Sequence, residues 1–260
     1  MILSQTIDRM TQMKLHGMVK SFETLASHPE STELPLTHAI GMLVDAEWTA
    51  RENKKMNRLI QNAQFKEREA CIEALDYRTP RGLKKTFVLE LTQNQWIHHA
   101  QNILITGPSG SGKSFFAQAL GHHATRHGYS VNYIRAPRLS ATLLQARADG
   151  SYMNYLKKLA KTKILILDDL GLAPMTDQEK QDLMEIIEDR HKVGCTIITS
   201  QLPVNAWHAY LGGSLLAEGI LDRLMHQVHR VELRTKESLR NPRGLVGETP
   251  LLTSSDASGN

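Results

Sequence analysis

The chain has 260 residues, of which 41% are hydrophobic, enough for one large domain or a medium domain with a smaller one attached. Its 2 cysteines, Cys71 and Cys195, have no CxxC spacing and no histidine cluster beside them, which excludes a disulfide framework, argues against a zinc site and fits buried thiols in a reducing compartment. The net charge of +4 is modest, but eight basic residues face a single acid between Arg126 and Lys163, and ten face five between Arg51 and Lys85. Clustered Lys and Arg favour a polyanionic partner. The opening MILSQTIDRMTQMKLHG interleaves acids and bases, unlike a secretory leader, and no run approaches about 18 apolar residues. A cytoplasmic protein without membrane association is expected.

Ile7, Met10, Leu15, Met18, Val19, Phe22 and Leu25 recur at helical spacing and predict two short helices broken at Gly17. Residues 28–37 form a polar, Pro-containing connection, after which Thr37 is expected to cap a helix. That helix carries Ile40, Leu43, Val44 and Trp48 on one face and continues through Met56, Leu59, Ile60 and Ala63, with Arg51, Lys54, Lys55 and Arg58 opposite. Residues 1–75 therefore read as a small helical N-terminal domain. Residues 76–100 read as a basic linker and lead-in, broken at Pro80 and Gly82, with apolar residues from Phe87 to Trp96 expected to line a base or ribose pocket.

Ile103, Leu104 and Ile105 form a run of strand length, and Gly107-Pro108-Ser109-Gly110-Ser111-Gly112-Lys113-Ser114 follows at once, matching GxxxxGK(S/T). Gly107, Gly110 and Gly112 let the backbone curl so that its N–H groups face a triphosphate. Lys113 adds charge at the β- and γ-phosphates, and the Ser114 hydroxyl is a ligand for Mg²⁺. The predicted helix from Phe115 to Arg126 points its N-terminal partial charge at the same anion. Strand, loop and helix in this order bind a nucleoside triphosphate.

A second short strand is expected at 131–134, helices at 137–148 and 151–161, and an apolar strand at 163–169 that ends in Asp168 and Asp169. This carboxylate pair lies 55 residues beyond Lys113, at the carboxyl edge of its strand, where open α/β sheets bind ligands. Asp168 would belong to the Mg²⁺ shell and Asp169 would act as general base toward the attacking water. Residues 194–203 form a further strand ending in Thr199, Ser200 and Gln201; Arg223 lies late in a predicted helix, and 228–233 is a final strand. The alternation predicts an α/β three-layer sandwich, a parallel sheet between helices.

The core from Gln101 to Leu233 resembles an AAA+ P-loop ATPase, on GPSGSGKS, ILILDDLG, IITSQLP and the DRL around Arg223. It is most similar to the IstB and DnaC group, with DnaA a more distant relative, and the opening MKLHGMVKSFETL is similar to the start of IstB proteins, the helper ATPases of insertion-sequence transposition. The resemblance implies an ATPase core over 101–248, Mg²⁺-dependent ATP hydrolysis and an ATP-dependent helical or ring-like homo-oligomer. Thr199 or Ser200 would be the first sensor, and Arg223 the arginine finger reaching a neighbour's γ-phosphate. Only 27 residues follow Leu233, too few for the usual helical lid, so Arg240 is left as a candidate second sensor and 249–260 as a disordered tail.

The resemblance also places a DNA-contacting helical element between the two phosphate motifs. Arg135, Arg138, Arg147, Lys157 and Lys158 are the candidate phosphate contacts, with Tyr152 and Tyr155 for backbone packing. An aromatic content of 5% offers no evident stacking platform for single strands, which favours duplex DNA. The expected function is a transposition helper that binds and remodels target duplex DNA for a transposase. The alternatives are a DnaC-like helicase loader on single-stranded DNA, a small-molecule P-loop kinase, and a nearly inactive scaffold, since Asp169 reaches one methylene less far than Glu.

Overall fold

The computed structural model describes residues 2–28, 34–77 and 81–234; Arg240 and residues 249–260 lie outside this range. Three helices open the chain, α1 (Ile2–Gln12), α2 (His16–Ser27) and α3 (Leu36–Ala63). The break between the first two lies at residues 13–15, where Lys14 takes φ 60°, and Gly17 sits inside α2. A Cβ at Gly17 would lie 2.5 Å from the Ala46 carbonyl oxygen, so this glycine serves backbone contact between α2 and α3. The amides of Gly17 and Met18 donate to Glu47 Oε2 at 2.8 and 3.2 Å, a carboxylate at a helix N-terminus. Arg51 and these two amides hold the Glu47 carboxyl below its usual range. Pro35, not Thr37, occupies the N-cap of α3. Leu36, Ile40, Val44 and Trp48 form an exposed row along that helix, while Leu43 is half-buried.

The carboxyl end of α3 runs into the core of the sheet domain: Ala63, Ala70 and Leu75 are buried there, with Phe65 packed against them. The lead-in carries α4 (Lys85–Leu91) and α5 (Gln95–His98). Val88, Leu91, Trp96 and Ile97 are buried in the same core and Phe87 packs against it, while Leu89 is exposed, and none of residues 87–96 lines the cavity at the phosphate loop. Arg81 and Leu83 are buried as well.

Five parallel strands form the sheet, β1 (Asn102–Thr106), β2 (Val131–Arg135), β3 (Ile164–Leu170), β4 (Cys195–Ser200) and β5 (Val228–Glu232), in the order β2-β3-β4-β1-β5. Every residue of β1 and β4 is buried, as their continuous apolar runs require for strands covered on both faces. Helix α6 (Lys113–Arg126) returns from β1 and is buried around most of its circumference. Gln118 of α6 accepts the amides of Lys66 and Glu67, each at 2.8 Å, and donates to the Ser114 carbonyl at 3.2 Å, while Phe65 stacks on His122 with 3.9 Å between ring centroids. The exit of the N-terminal helices is thus fastened to the helix that begins in the phosphate loop.

Helices α7 (Ala136–Ala148) and α8 (Tyr152–Lys161) follow β2, α9 (Asp177–Arg190) follows β3, and α10 (Trp207–Tyr210) and α11 (Leu215–Met225) precede β5. Helix α9 is absent from the sequence-based expectations although its start carries a signal. Thr176 accepts the Glu179 amide while Glu179 reaches back to the Thr176 amide, a complete capping box. Among the described residues no helix is long and apolar enough to cross a membrane.

One buried cation ties this half of the sheet together. Arg190, 1% exposed, donates to the carbonyls of Leu159, Thr162, Lys163 and Cys195 and to Thr196 Oγ1. The end of α8 and the starts of β3 and β4 therefore converge on one guanidinium, whose burial pulls its pKa down to about 10. Arg190→Met keeps an unbranched apolar stem and removes the donors, so that four carbonyls and the Thr196 hydroxyl each lose a hydrogen-bond partner. A loss of at least about 3 kcal/mol is expected from urea unfolding; a loss below about 1 kcal/mol would show that Arg190 is not needed to hold these three segments.

Candidate nucleotide-binding site

The phosphate loop joins β1 to α6 with Gly107, Gly110 and Gly112 at φ 148°, 77° and 88°. At Gly107 a Cβ would lie 2.2 Å from the Leu233 carbonyl oxygen, so both the dihedral and the neighbouring backbone exclude a side chain. Lys113 Nζ donates to the carbonyls of Gly107 and Pro108 at 2.7 and 2.8 Å, folding the amine over the loop it belongs to. Ser111 is fully buried, with its Oγ unpartnered among the described residues and its carbonyl bound by Arg81. In front of the loop is a cavity of about 600 Å³ whose wall includes Ser109, Glu67, Asp76, Arg81, Arg135 and Asp169. This volume suits a nucleotide. Glu67, Ala74, Asp76 and Arg81 add the part of this wall that comes from ahead of β1 in the chain.

The strand order sets β4 between β1 and β3, and the carboxylates emerge beside the loop through an irregularity in β3. Leu167 pairs with Ile198 and Leu170 with Ser200, so Asp168 and Asp169 together face the single residue Thr199. This is a β-bulge, and Asp169 takes φ 61° within it. Consecutive residues of a regular strand point to opposite faces; the bulge turns both carboxylates toward the site. Thr199 fills it with one hydroxyl, which accepts the Asp169 amide at 3.0 Å and donates to Asp168 Oδ1 at 2.5 Å.

Asp168 is 2% exposed and fully engaged. Its Oδ1 also accepts Ser114 Oγ at 2.8 Å, and its Oδ2 accepts Tyr133 Oη at 2.7 Å. Burial, with Asp168 next, pushes the Tyr133 phenol far above its ordinary range, so the phenol keeps its proton and donates. Ser114 and Asp168 present two hard oxygen atoms side by side at the loop, a donor set suited to Mg²⁺. The glycine-lined loop and this pair fit Mg²⁺-ATP.

Of the two sensor candidates Thr199 meets the carboxylates, whereas Ser200 Oγ donates to the Leu170 carbonyl and accepts the Leu202 amide, shaping the loop beyond. Arg135, grouped by sequence with the DNA contacts, instead lines the cavity. Its Nε and Nη2 lie 3.0 and 2.9 Å from Asp169 Oδ2. Arg147 pairs with Asp182 and stacks 3.7 Å over the Tyr152 ring, and Tyr152 donates to the same carboxylate, so both fasten α7 and α8 to α9. Tyr155 packs against the apolar core. Arg138, Lys157 and Lys158 are exposed.

Arg223 is remote from the loop of its own chain. It lies in the last turn of α11, where Asn102, the first residue of β1, donates to the carbonyls of Arg223 and Leu224 at 3.4 and 3.2 Å. The loop leaves the other end of β1, about 13 Å along the strand. The Arg223 guanidinium pairs with Glu188 of α9 and donates to the Gly219 carbonyl at 3.0 Å. Tyr133 and the Arg135–Asp169 pair are not expected from sequence, because they depend on β2 lying beside β3, which no local pattern states.

A parallel sheet with this strand order, a glycine-lined phosphate loop and a carboxylate pair facing a hydroxyl-bearing strand end define an AAA+ P-loop ATPase. The fold agrees with solved structures of the DnaC helicase loader (19% identity, TM-score 0.53, 63% of this chain and 96% of that one) and of AMPPCP-bound DnaA from Aquifex aeolicus (18% identity, TM-score 0.53, 66% and 52%). The chain belongs to the family of IstB-like ATP binding proteins, whose model matches residues 8–244. Two of its relatives are the insertion sequence ATP-binding protein y4pL of Sinorhizobium fredii, 43% identical over 94% of this chain and 99% of that one, and the IS1162 ATP-binding protein of Pseudomonas fluorescens, 42% identical over 78% and 88%.

Removing the Thr199 hydroxyl isolates the bulge. Thr199→Val keeps the shape but strands the Asp169 amide and strips Asp168 of one donor, for an expected loss of about 2–3 kcal/mol in urea unfolding and most of the ATPase rate. Thr199→Ser should retain both; equal behaviour of the two variants would detach the hydroxyl from the carboxylates.

Proposed function

We propose that this ATPase is a self-assembling, DNA-binding transposition helper, which engages and remodels target duplex DNA for a partner transposase. The observation that carries the reading is the joining of Ser114, Asp168, Asp169 and Thr199 into one site, in a chain whose relatives are insertion sequence ATP-binding proteins over nearly their whole length. Bound Mg²⁺ would neutralise charge on the phosphates, held by Ser114 and Asp168. Lys113 supplies the side-chain cation of the loop, and Asp169 orients and deprotonates the attacking water.

Asp169 is masked by Arg135 in the structure described. A water that uses this oxygen has to displace the guanidinium, because Arg135 Nε and Nη2 both occupy Asp169 Oδ2. Arg135 is also the N-cap of α7, the helix that bears Arg138. Load placed on α7 by a DNA phosphate therefore acts on the residue that masks the base. Of the exposed basic residues of the proposed DNA surface, Arg135 and Arg147 are each paired with a carboxylate, which leaves Arg138, Lys157 and Lys158 as the candidates that contact phosphates without reading bases.

The Arg223 position supports a role only toward another subunit. ATPase activity per subunit is expected to rise with protein concentration, and mixing Arg223→Ala with Lys113→Ala subunits should restore part of the activity that each has lost alone. A concentration-independent rate without rescue would leave Arg223 as a partner of Glu188 and nothing more.

DNA binding is expected to require ATP, to show little sequence preference and to fall steeply with salt. Each phosphate contact contributes roughly 0.9 to the slope of log affinity against log salt on duplex DNA. Arg138→Ala or Lys158→Ala should lower that slope by about one contact per bound subunit and weaken binding alike on unrelated sequences. Duplex and single-stranded oligonucleotides of equal length, compared at fixed salt, decide the class of helper. Preference for the single strand would overturn the transposition reading in favour of a helicase loader, the function named for the DnaC neighbour.

A further inference from the structure

Tyr133 lies in β2, beside β3, and it is 6% exposed. Its ring belongs to the apolar core between the sheet and α6, and its hydroxyl reaches Asp168 Oδ2 at 2.7 Å. Packing alone asks for a phenyl ring; a hydroxyl carried into the interior requires a partner, and here the partner is a carboxylate that is itself buried.

The two oxygens of Asp168 are used differently. Oδ1 faces the phosphate loop and accepts the hydroxyls of Ser114 and Thr199. Oδ2 faces β2 and accepts Tyr133. A carboxylate tethered at one oxygen cannot turn about its Cβ–Cγ bond, so the phenol fixes the plane in which Oδ1 meets Ser114. The ring in turn is held by the core, and its rigidity passes to the carboxylate.

We propose that Tyr133 is a positioning residue for the metal-binding carboxylate of this site: it orients Asp168 and thereby sets the affinity for the divalent cation that accompanies ATP. The inference rests on the reading of Ser114 and Asp168 as the Mg²⁺ donors. Partners that orient a metal ligand without touching the ion contribute tenfold or more to metal affinity.

The test uses the full chain and a fluorescent, non-hydrolysable ATP analogue, titrated with Mg²⁺ and also measured in EDTA. Tyr133→Phe keeps the ring, and Tyr133→Met, unbranched and without a donor, gives a second reading. The half-saturating Mg²⁺ concentration should rise about tenfold in both, with affinity in EDTA within about twofold of the wild type and the hydrolysis rate largely recovered at high Mg²⁺. In an Asp168→Asn background, Tyr133→Phe should have no further effect on the Mg²⁺ response. An unchanged Mg²⁺ midpoint would overturn the proposal, as would an equal loss of nucleotide affinity with and without Mg²⁺, which would make Tyr133 a packing residue. If wild-type binding itself did not depend on Mg²⁺, the assignment of Ser114 and Asp168 would fail instead, a separate outcome.

Discussion

The site depends on one extra residue in a strand. Because Asp168 and Asp169 together oppose Thr199, β3 presents two carboxylates where a regular strand would present one. The bulge carries a cost, an amide without a ladder partner and an aspartate at positive φ, and the Thr199 hydroxyl offsets the first part by accepting that amide. The same hydroxyl donates to Asp168, so one small side chain sustains the backbone irregularity and aims its product. Ser114 from the loop and Tyr133 from the neighbouring strand converge on the same carboxylate, and four segments distant in sequence become one rigid unit.

Around this unit the other charges are arranged by what they can reach. Arg135 stands at the mouth of the site and holds Asp169, whereas Arg190 is enclosed and holds only carbonyls and a hydroxyl. The two arginines illustrate why a count of basic residues says little about partners: one lines the cavity at the phosphate loop and the other belongs to the skeleton. Gln118 performs a related task for the N-terminal helices, since its amide joins the Ser114 carbonyl to the amides of residues 66 and 67. One side chain thus ties the start of α6 to the segment that follows α3.

Much of this was legible in the residues themselves. The phosphate loop, the carboxylate pair and the apolar strands are local patterns whose chemistry leaves little choice of structure, and all five strands lie where their runs predict. The errors have a common physical source. Gly17 reads as a break because a glycine in a helical pattern usually is one, but here it admits the backbone of another helix. The apolar residues from Phe87 to Trp96 read as a pocket, yet all but the exposed Leu89 pack into the core, and the cavity before the loop is lined instead by Glu67, Ala74, Asp76 and Arg81. Arg135 and Arg147 are exposed, as a surface role requires, but strand order and helix packing also give them and Tyr152 carboxylate partners that no local pattern announces. Contacts that join segments through tertiary structure carry no signature in spacing, and these are the ones that needed coordinates.

The phosphate loop and Arg223 stand at opposite ends of one strand, and this placement has a consequence for symmetry. If Arg223 of one copy met the loop of the next head to tail, the contact would join two different surfaces, and such a heterologous contact either closes into a ring or runs on as an open row. In an assembly of the proposed kind the contact would propagate in one direction. An open row would end in a copy whose loop meets no arginine and begin with a copy whose arginine meets no loop, so short rows would work below capacity and long ones would approach it. Polarity of this kind would also give the row a front and a back, two chemically distinct ends on which a growing assembly and a partner protein could be told apart.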